Sequence, residues 1–271
     1  MNLVERMKNG EKISIGMVHT LPLPGTYENS CNMEEIINRA VSDAVTLEKA
    51  GFDALIVENV NDAPYSRAGM TVQQIAALAI ITRKVREAVT IEVGIDACGN
   101  SIAGIEIANI VGGVSFVRIP AFVDVRVGMN GIDMPNGAEA VLKRKEIHAE
   151  QVKIFADIQV KHTYGLCEAI SIEQSAAWAV AGHADAIIVT GVTTGAETPL
   201  ETISRVKKVV KLPVVVGSGA SVGNVRAQYR VCDGAIIGSS LKENGDLRNP
   251  VVAEKAAAFI AAAKETEGCL V

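Results

Sequence analysis

Side chains able to move protons or hold anions recur in this chain at one kind of place, the end of a short apolar run. His19 closes the run Ile13–His19, Glu58 and Asn59 close Ala54–Asn59, and Asp96 closes Thr90–Asp96. Arg118 lies near the end of Phe116–Pro120, and Lys161 and His162 follow Lys153–Val160. Glu58 is a candidate general base, because burial can raise a carboxyl toward the working pH; its other reading is an ion pair with a neighbour such as Arg118. Asp96 has the same two readings. His19 and His162 are candidate acid–base groups or metal ligands. Lys161 has three readings: a cation that holds a substrate anion, a Schiff-base amine in a dry site, or the structural partner of Asp157. The last arises because Asp157, Gln159 and Lys161 share one parity and should point the same way along a strand.

Later ends carry no charge. Thr190-Gly191-Val192-Thr193-Thr194-Gly195 follows the run Ala186–Gly191, with hydroxyls suited to a sugar or a phosphate, or to helix capping. Gly217-Ser218-Gly219 ends Pro213–Gly217, and Gly238-Ser239-Ser240 ends Gly234–Ser239. Glycine after a strand permits a tight turn that bares backbone amides, and a helix beginning there adds the positive end of its dipole. Two such turns side by side form a phosphate cradle, with Gly217, Ser218, Gly219, Gly238 and Ser239 as its candidate residues; the other reading is that these small residues merely allow tight turns.

The elements that must position these residues alternate. Most of the eight runs are apolar on both parities, as expected of parallel strands covered on both faces. Helical periodicity follows each, over Glu34–Ala50, Val72–Ala88, Ile102–Val111, Ala138–Glu150, Ile172–Ala181, Leu200–Val209, Val222–Tyr229 and Pro250–Glu265. Eight strand–helix units without a linker predict a single α/β domain over 1–271, a closed (β/α)8 TIM barrel that leaves no sheet edge exposed. An open doubly wound sheet is the alternative, but Thr20-Leu21-Pro22-Leu23-Pro24-Gly25 after the first strand is no Gly-x-Gly-x-x-Gly dinucleotide fingerprint. In a barrel the strand ends named above gather at one mouth. The longest connector, Ala121–Asn136, is placed to cover it.

Composition narrows the function further. With 271 residues, 49% of them hydrophobic, the chain can bury a full core, which excludes disorder. A net charge of −5 and 4% aromatics argue against nucleic acid and against anionic membrane surfaces. Cys31, Cys98, Cys167, Cys232 and Cys269 are far apart with no Cys-x-x-Cys, the usage of a reducing compartment. Met1–Lys12 has alternating charges and no apolar segment of a signal peptide, so a cytoplasmic protein without membrane insertion is expected. No cofactor is expected; a divalent metal would need His19, Glu58, Asp96 and His162 together, and neither His-x-His nor His-Glu-x-x-His occurs. Self-association into a homo-oligomer is expected from the many small residues on the helices.

The segment Gly16-Met17-Val18-His19-Thr20-Leu21-Pro22-Leu23-Pro24-Gly25 resembles the opening signature of the BtpA/SgcQ family. The resemblance continues through Val57-Glu58-Asn59, Pro64-Tyr65, Phe116-Val117-Arg118, Lys161-His162, Thr190-Gly191, Thr194-Gly195 and Val216-Gly217-Ser218-Gly219, nearly the whole chain. It implies a barrel related to phosphate-binding enzymes, without a settled reaction. Family members are described as photosystem I biogenesis factors or as sugar-metabolism enzymes. Together these readings point to an enzyme acting on a small phosphorylated sugar or nucleoside-like metabolite, by isomerisation, lysis or glycosidic-bond cleavage. The alternatives are a non-catalytic assembly factor and a metal-dependent hydrolase.

Overall fold

The computed structural model describes residues 1–129, 131–167 and 169–267. Eight parallel strands close into a barrel: β1 (Ile13–His19), β2 (Ala54–Glu58), β3 (Glu92–Asp96), β4 (Val114–Ile119), β5 (Lys153–Ile158), β6 (Ala186–Val189), β7 (Val214–Val216) and β8 (Gly234–Ile237). Closure is direct, since β1 pairs with β8 from Ile13↔Gly234 and with β2 up to His19↔Glu58. The α/β TIM barrel expected from the alternation is the fold observed.

Alternation along each strand explains both the core and the site. One parity points outward beneath the helices, where Val18, Leu55, Val57, Ile95 and Val117 pack against residues such as Leu47, Leu78 and Ile105. The other points inward and fills the barrel with Ile15, Met17, Ile56, Phe116, Phe155, Ile188, Val215 and Ile236. Phe116 and Phe155 stack at 4.6 Å between ring centroids. Gly94 faces this pair with no side chain because a Cβ there would enter the Phe116 ring. The bottom is plugged by Leu3, Val4 and Met7 of a helix, Leu3–Lys8, that sequence periodicity did not reveal. That helix has six residues, too few for a period, and starts at an Asn2/Glu5 capping box.

Two residues beyond each inward apolar position stands the next inward position, at the mouth. That step leads from Met17 to His19, Ile56 to Glu58, Gly94 to Asp96, Phe116 to Arg118 and Phe155 to Asp157. In the other half it leads from Ile188 to Thr190, Val215 to Gly217 and Ile236 to Gly238.

Several boundaries differ from the expected ones. The helix expected over Ala138–Glu150 runs Gly137–Glu146 and ends before His148, which adopts a left-handed backbone at φ 54°. The helix expected over Val222–Tyr229 is Val225–Tyr229, a single turn and a half. Within Ala121–Asn136 the chain makes a hairpin, Arg126–Gly128 with Gly131–Asp133, and Tyr164–Gly165 adds a third strand to it. This flap is anchored to the chain after β5: Arg126 Nε donates to Thr163 Oγ1 at 2.9 Å, and Asp124 accepts from the Gln159 amide and the Ser175 hydroxyl. Among the described residues no helix is long and apolar enough to cross a membrane. Cys269 and Asn130 lie outside the described residues.

Candidate active site

Arg118 forms the centre of the charged half of the mouth. Its Nε and Nη2 donate to the two oxygens of Asp157 at 2.8 and 3.0 Å, a bidentate pair buried on both sides. The same guanidinium lies 3.6 Å from Glu58 Oε1 and 3.7 Å from Asp96 Oδ2. Glu58 in turn holds His19, with Oε2 3.3 Å from Nε2, while the buried Nδ1 of that ring has no partner among the described residues. Asp157 therefore pairs with Arg118 and not with Lys161, correcting the parity argument. The reason is local: Gln159 takes a left-handed backbone at φ 47°, which ends the alternation. Its side chain turns away to donate to Ile170 O and Ser175 Oγ.

Three carboxyl groups around one guanidinium cannot all stay ionised cheaply. Burial alone would push Glu58 up, but the hydrogen bond and charge of His19, with Arg118 and Lys161 beside it, bring it down to about 2. Asp96 takes the opposite course: burial and then the charge of Glu58 push it well above the usual carboxylate range. Of the two, Asp96 is the carboxyl shifted toward its protonated form and Glu58 the one shifted toward its ionised form. The expectation that burial would raise Glu58 into the range of a general base is overturned, because its cationic neighbours outweigh the desolvation.

Lys161 and His162 stand at the rim. The Lys161 backbone amide donates to Thr190 Oγ1 at 2.9 Å. Burial and the Arg118 charge draw its ammonium below the ordinary lysine range, against the pull of Glu58, Asp157 and Asp96. The exposed His162 ring Nε2 accepts from the Thr194 amide at 2.9 Å and meets the Thr194 hydroxyl at 2.8 Å. His162 thereby joins two loops and stays outside the carboxylate cluster; its pKa is lowered by burial and by Lys161.

The uncharged half supplies backbone. Gly219 takes φ +72°, and a Cβ there would run into the carbonyl of Ala196, so only glycine fits. Gly238 serves differently: a Cβ would lie 2.9 Å from His19 Cε1, so its bareness makes room for that ring. The amides of Gly219, Ala220, Ser239 and Ser240 donate to no described group, whereas the Ser221 amide is taken up by Asn224 Oδ1. With the next helix delayed to Val225, no helix end stands behind Gly219, so the turn after β7 presents bare amides without a helix dipole behind them.

Both halves line one cavity of about 230 Å³, whose wall includes His19, Glu58, Asp96, Arg118, Lys161, His162, Thr194, Gly195, Gly217, Ser218, Gly219, Gly238 and Ser239. Three expected ligand-binding residues instead brace it. Asn59 donates to Asp62 at 2.8 Å and accepts from the Cys98 amide at 2.7 Å; Thr190 receives Lys161, as above; and the Gly191 amide donates to Ser218 Oγ at 2.9 Å. Residues that sequence reasoning missed are Asp157 as the Arg118 anchor and Cys98 on the cavity wall. The strand parity places Asp157 inward, but its pairing with Arg118 depends on the register of two strands; Cys98, two residues past Asp96 in a loop, gave no signal.

Among the described residues the metal-like group is Glu58, Asp96 and Cys98, not the His19, Glu58, Asp96 and His162 set. It suits a cation poorly. Asp96 is shifted toward its protonated form, burial pushes the Cys98 thiol well up, and Arg118 already sits within reach of both carboxyl groups.

A family model described as the BtpA family matches residues 10–265. An uncharacterized protein of Pyrococcus abyssi is 36% identical over 97% of this chain and 100% of its own length. A Synechocystis protein named photosystem I biogenesis protein BtpA is 32% identical over 93% of this chain and 88% of its own. Among solved structures, thiamine phosphate pyrophosphorylase from Pyrococcus furiosus superposes with a TM-score of 0.58 at 17% identity, covering 96% of this chain and 98% of that one. Geranylgeranylglyceryl phosphate synthase from Thermoplasma acidophilum, in complex with sn-glycerol-1-phosphate, gives 0.61 at 13%, covering 97% of each. At such identities these structures share the fold.

Proposed function

The chain belongs to the BtpA family, and we propose that its barrel is an enzyme acting on a small phosphorylated sugar or nucleoside-like metabolite. One observation carries this reading: a single cavity has a proton-holding charged cluster on one wall and unpaired backbone amides on the other. A phosphate would accept from the amides of Gly219, Ala220, Ser239 and Ser240, which carry partial positive charge without the desolvation cost of a lysine. The rest of a small substrate would then lie against Asp96, the proton donor, and the His19–Glu58 pair, which takes up or returns a proton. Arg118 is committed to Asp157 and its charge also helps keep Glu58 ionised, which leaves Lys161 as the basic side chain turned to the substrate. The sn-glycerol-1-phosphate bound as substrate by the Thermoplasma acidophilum synthase accords with a phosphorylated ligand in a barrel of this fold. Isomerisation, lysis and glycosidic cleavage all use this set of groups.

The test is a thermal-shift screen with inorganic phosphate and a panel of phosphosugars. A ligand at one hundred times its dissociation constant stabilises by about 2.7 kcal/mol, a shift of several degrees. Asp96→Asn is expected to keep that shift and to lose turnover of the responding compound by about 10²–10⁴-fold. No shift with any phosphorylated compound overturns the proposal.

A second reading, a non-catalytic assembly factor, is favoured by the flap, where Met129, Ile132, Met134, Tyr164 and Leu166 stand exposed. It expects a stable protein partner that is lost on Tyr164→Ser, with no small-molecule response.

A further inference from the structure

We propose that Lys161 is a nucleophile that forms an imine with the carbonyl carbon of the phosphorylated substrate. This deepens the enzyme reading above and rests on it. Lys161 lies on the wall of the cavity that the proton-holding Asp96 and the bare amides of Gly219 and Ser239 also line. Its ammonium makes no hydrogen bond or contact ion pair with any described residue, because Asp157, which would have been its natural partner, is held at both oxygens by Arg118. A lysine that served only to balance the buried carboxylates would sit on one of them. The geometry instead places Arg118 in that role and leaves the amine turned to the cavity.

The groups around it suit the chemistry. Arg118 from β4 repels a charge on Lys161, while Glu58 from β2, Asp96 from β3 and Asp157 from β5 attract it; burial and Arg118 prevail, and a larger share of the amine is neutral than in an ordinary lysine. His162 is the remaining titratable neighbour, and its own pKa is lowered beside Lys161.

In the step itself, the nitrogen lone pair bonds to the carbonyl carbon, and a proton passes from nitrogen to oxygen to give a carbinolamine. The carbon–oxygen bond then breaks as Asp96 supplies one proton. Water leaves, the nitrogen is a protonated imine, and Asp96 is a carboxylate. The cationic imine draws the electron pair of a bond on the adjacent carbon to give an enamine; the proton released from that carbon, or from the hydroxyl of the carbonyl fragment that leaves when a carbon–carbon bond breaks, passes to the Asp96 carboxylate. Asp96 then returns a proton to the enamine carbon, and addition of one water to the imine restores the amine, the carbonyl and the protonated Asp96. The substrate class is therefore a phosphorylated ketone or aldehyde, and the reaction class narrows to isomerisation or lysis next to that carbonyl.

Borohydride reduction in the presence of dihydroxyacetone phosphate, followed by peptide mass mapping, tests this on the full chain. Expected is a reduced adduct at Lys161, suppressed by excess inorganic phosphate and absent in Lys161→Arg, which keeps the charge and the fold but offers no amine. Labelling spread over exposed lysines without preference for Lys161 overturns the imine. So does absence of any adduct while dihydroxyacetone phosphate still raises the melting temperature, and that result leaves the phosphorylated-substrate reading standing. Absence of both adduct and shift, with no response to the wider phosphosugar panel, removes the two together.

Discussion

The two halves of the barrel mouth reach the same inward layer with opposite materials. From β1 to β5 that layer is His19, Glu58, Asp96, Arg118 and Asp157, all buried and all ionisable. From β6 to β8 it is Thr190, Gly217 and Gly238, which carry no charge. Charge in the first half is nearly self-contained, because each buried group leans on another across neighbouring strands. On the proposed function, attraction for an anion in the second half comes from N–H groups of the main chain, fixed by the fold and independent of pH. The contrast teaches how the proposed function fits one cavity: a lysine or arginine in the uncharged half would shift the carboxyls opposite, and bare amides shift them far less.

Breaking the charged half should cost most. Arg118→Met strands Asp157, Glu58 and Asp96 together, and a loss of about 3–5 kcal/mol in urea denaturation at neutral pH is expected. The stranded carboxyls can be protonated, so the loss should shrink as pH falls. A loss under about 1 kcal/mol would show that this half is not interdependent.

A smaller effect follows from Glu58 alone. Its folded pKa is depressed to about 2 from an ordinary 4.5, so its contribution to stability is whole above 4.5 and drains away as pH falls toward 2. Glu58→Gln should therefore narrow its gap to the parent protein across that window, measured as denaturation midpoints from pH 5 downward. A gap independent of pH would mean that Glu58 is not held ionised by its neighbours.

In the uncharged half, Ser218→Ala removes the acceptor of the buried Gly191 amide and the hydroxyl that supports the β6 loop. About 1–2 kcal/mol is expected, together with weaker phosphate binding, since the loop it braces carries Gly195 to the cavity wall. Unchanged phosphate binding would separate the brace from the cradle.

Much of this division was legible in the chain. The ends of the apolar runs Ile13–His19 and Ala54–Asn59 place His19 and Glu58 at the mouth, and glycine at the later strand ends marks the uncharged half. What escaped has physical reasons. The partner of Arg118 depends on the register Arg118↔Phe155, which sets Asp157 one inward step beyond, and register between strands is not written in either strand alone. The left-handed turn at Gln159 sends Lys161 out of the alternation, and no side-chain type at that position announces it. Asn59 looks like a ligand-binding amide by position, yet its hydrogen bonds are all used on Asp62 and the Cys98 loop. The flap strands have only two or three residues each, too short for any period to show.

The most direct measurement is the amide spectrum of the isotopically labelled protein during a titration with inorganic phosphate, followed residue by residue. Saturable shifts concentrated at Gly219, Ala220, Ser239 and Ser240, with the His19 and Asp96 signals little changed, are the expected result. Shifts confined to residues outside these loops, or none at concentrations that saturate phosphate-binding barrels, would contradict the assignment of the uncharged half as the anion site.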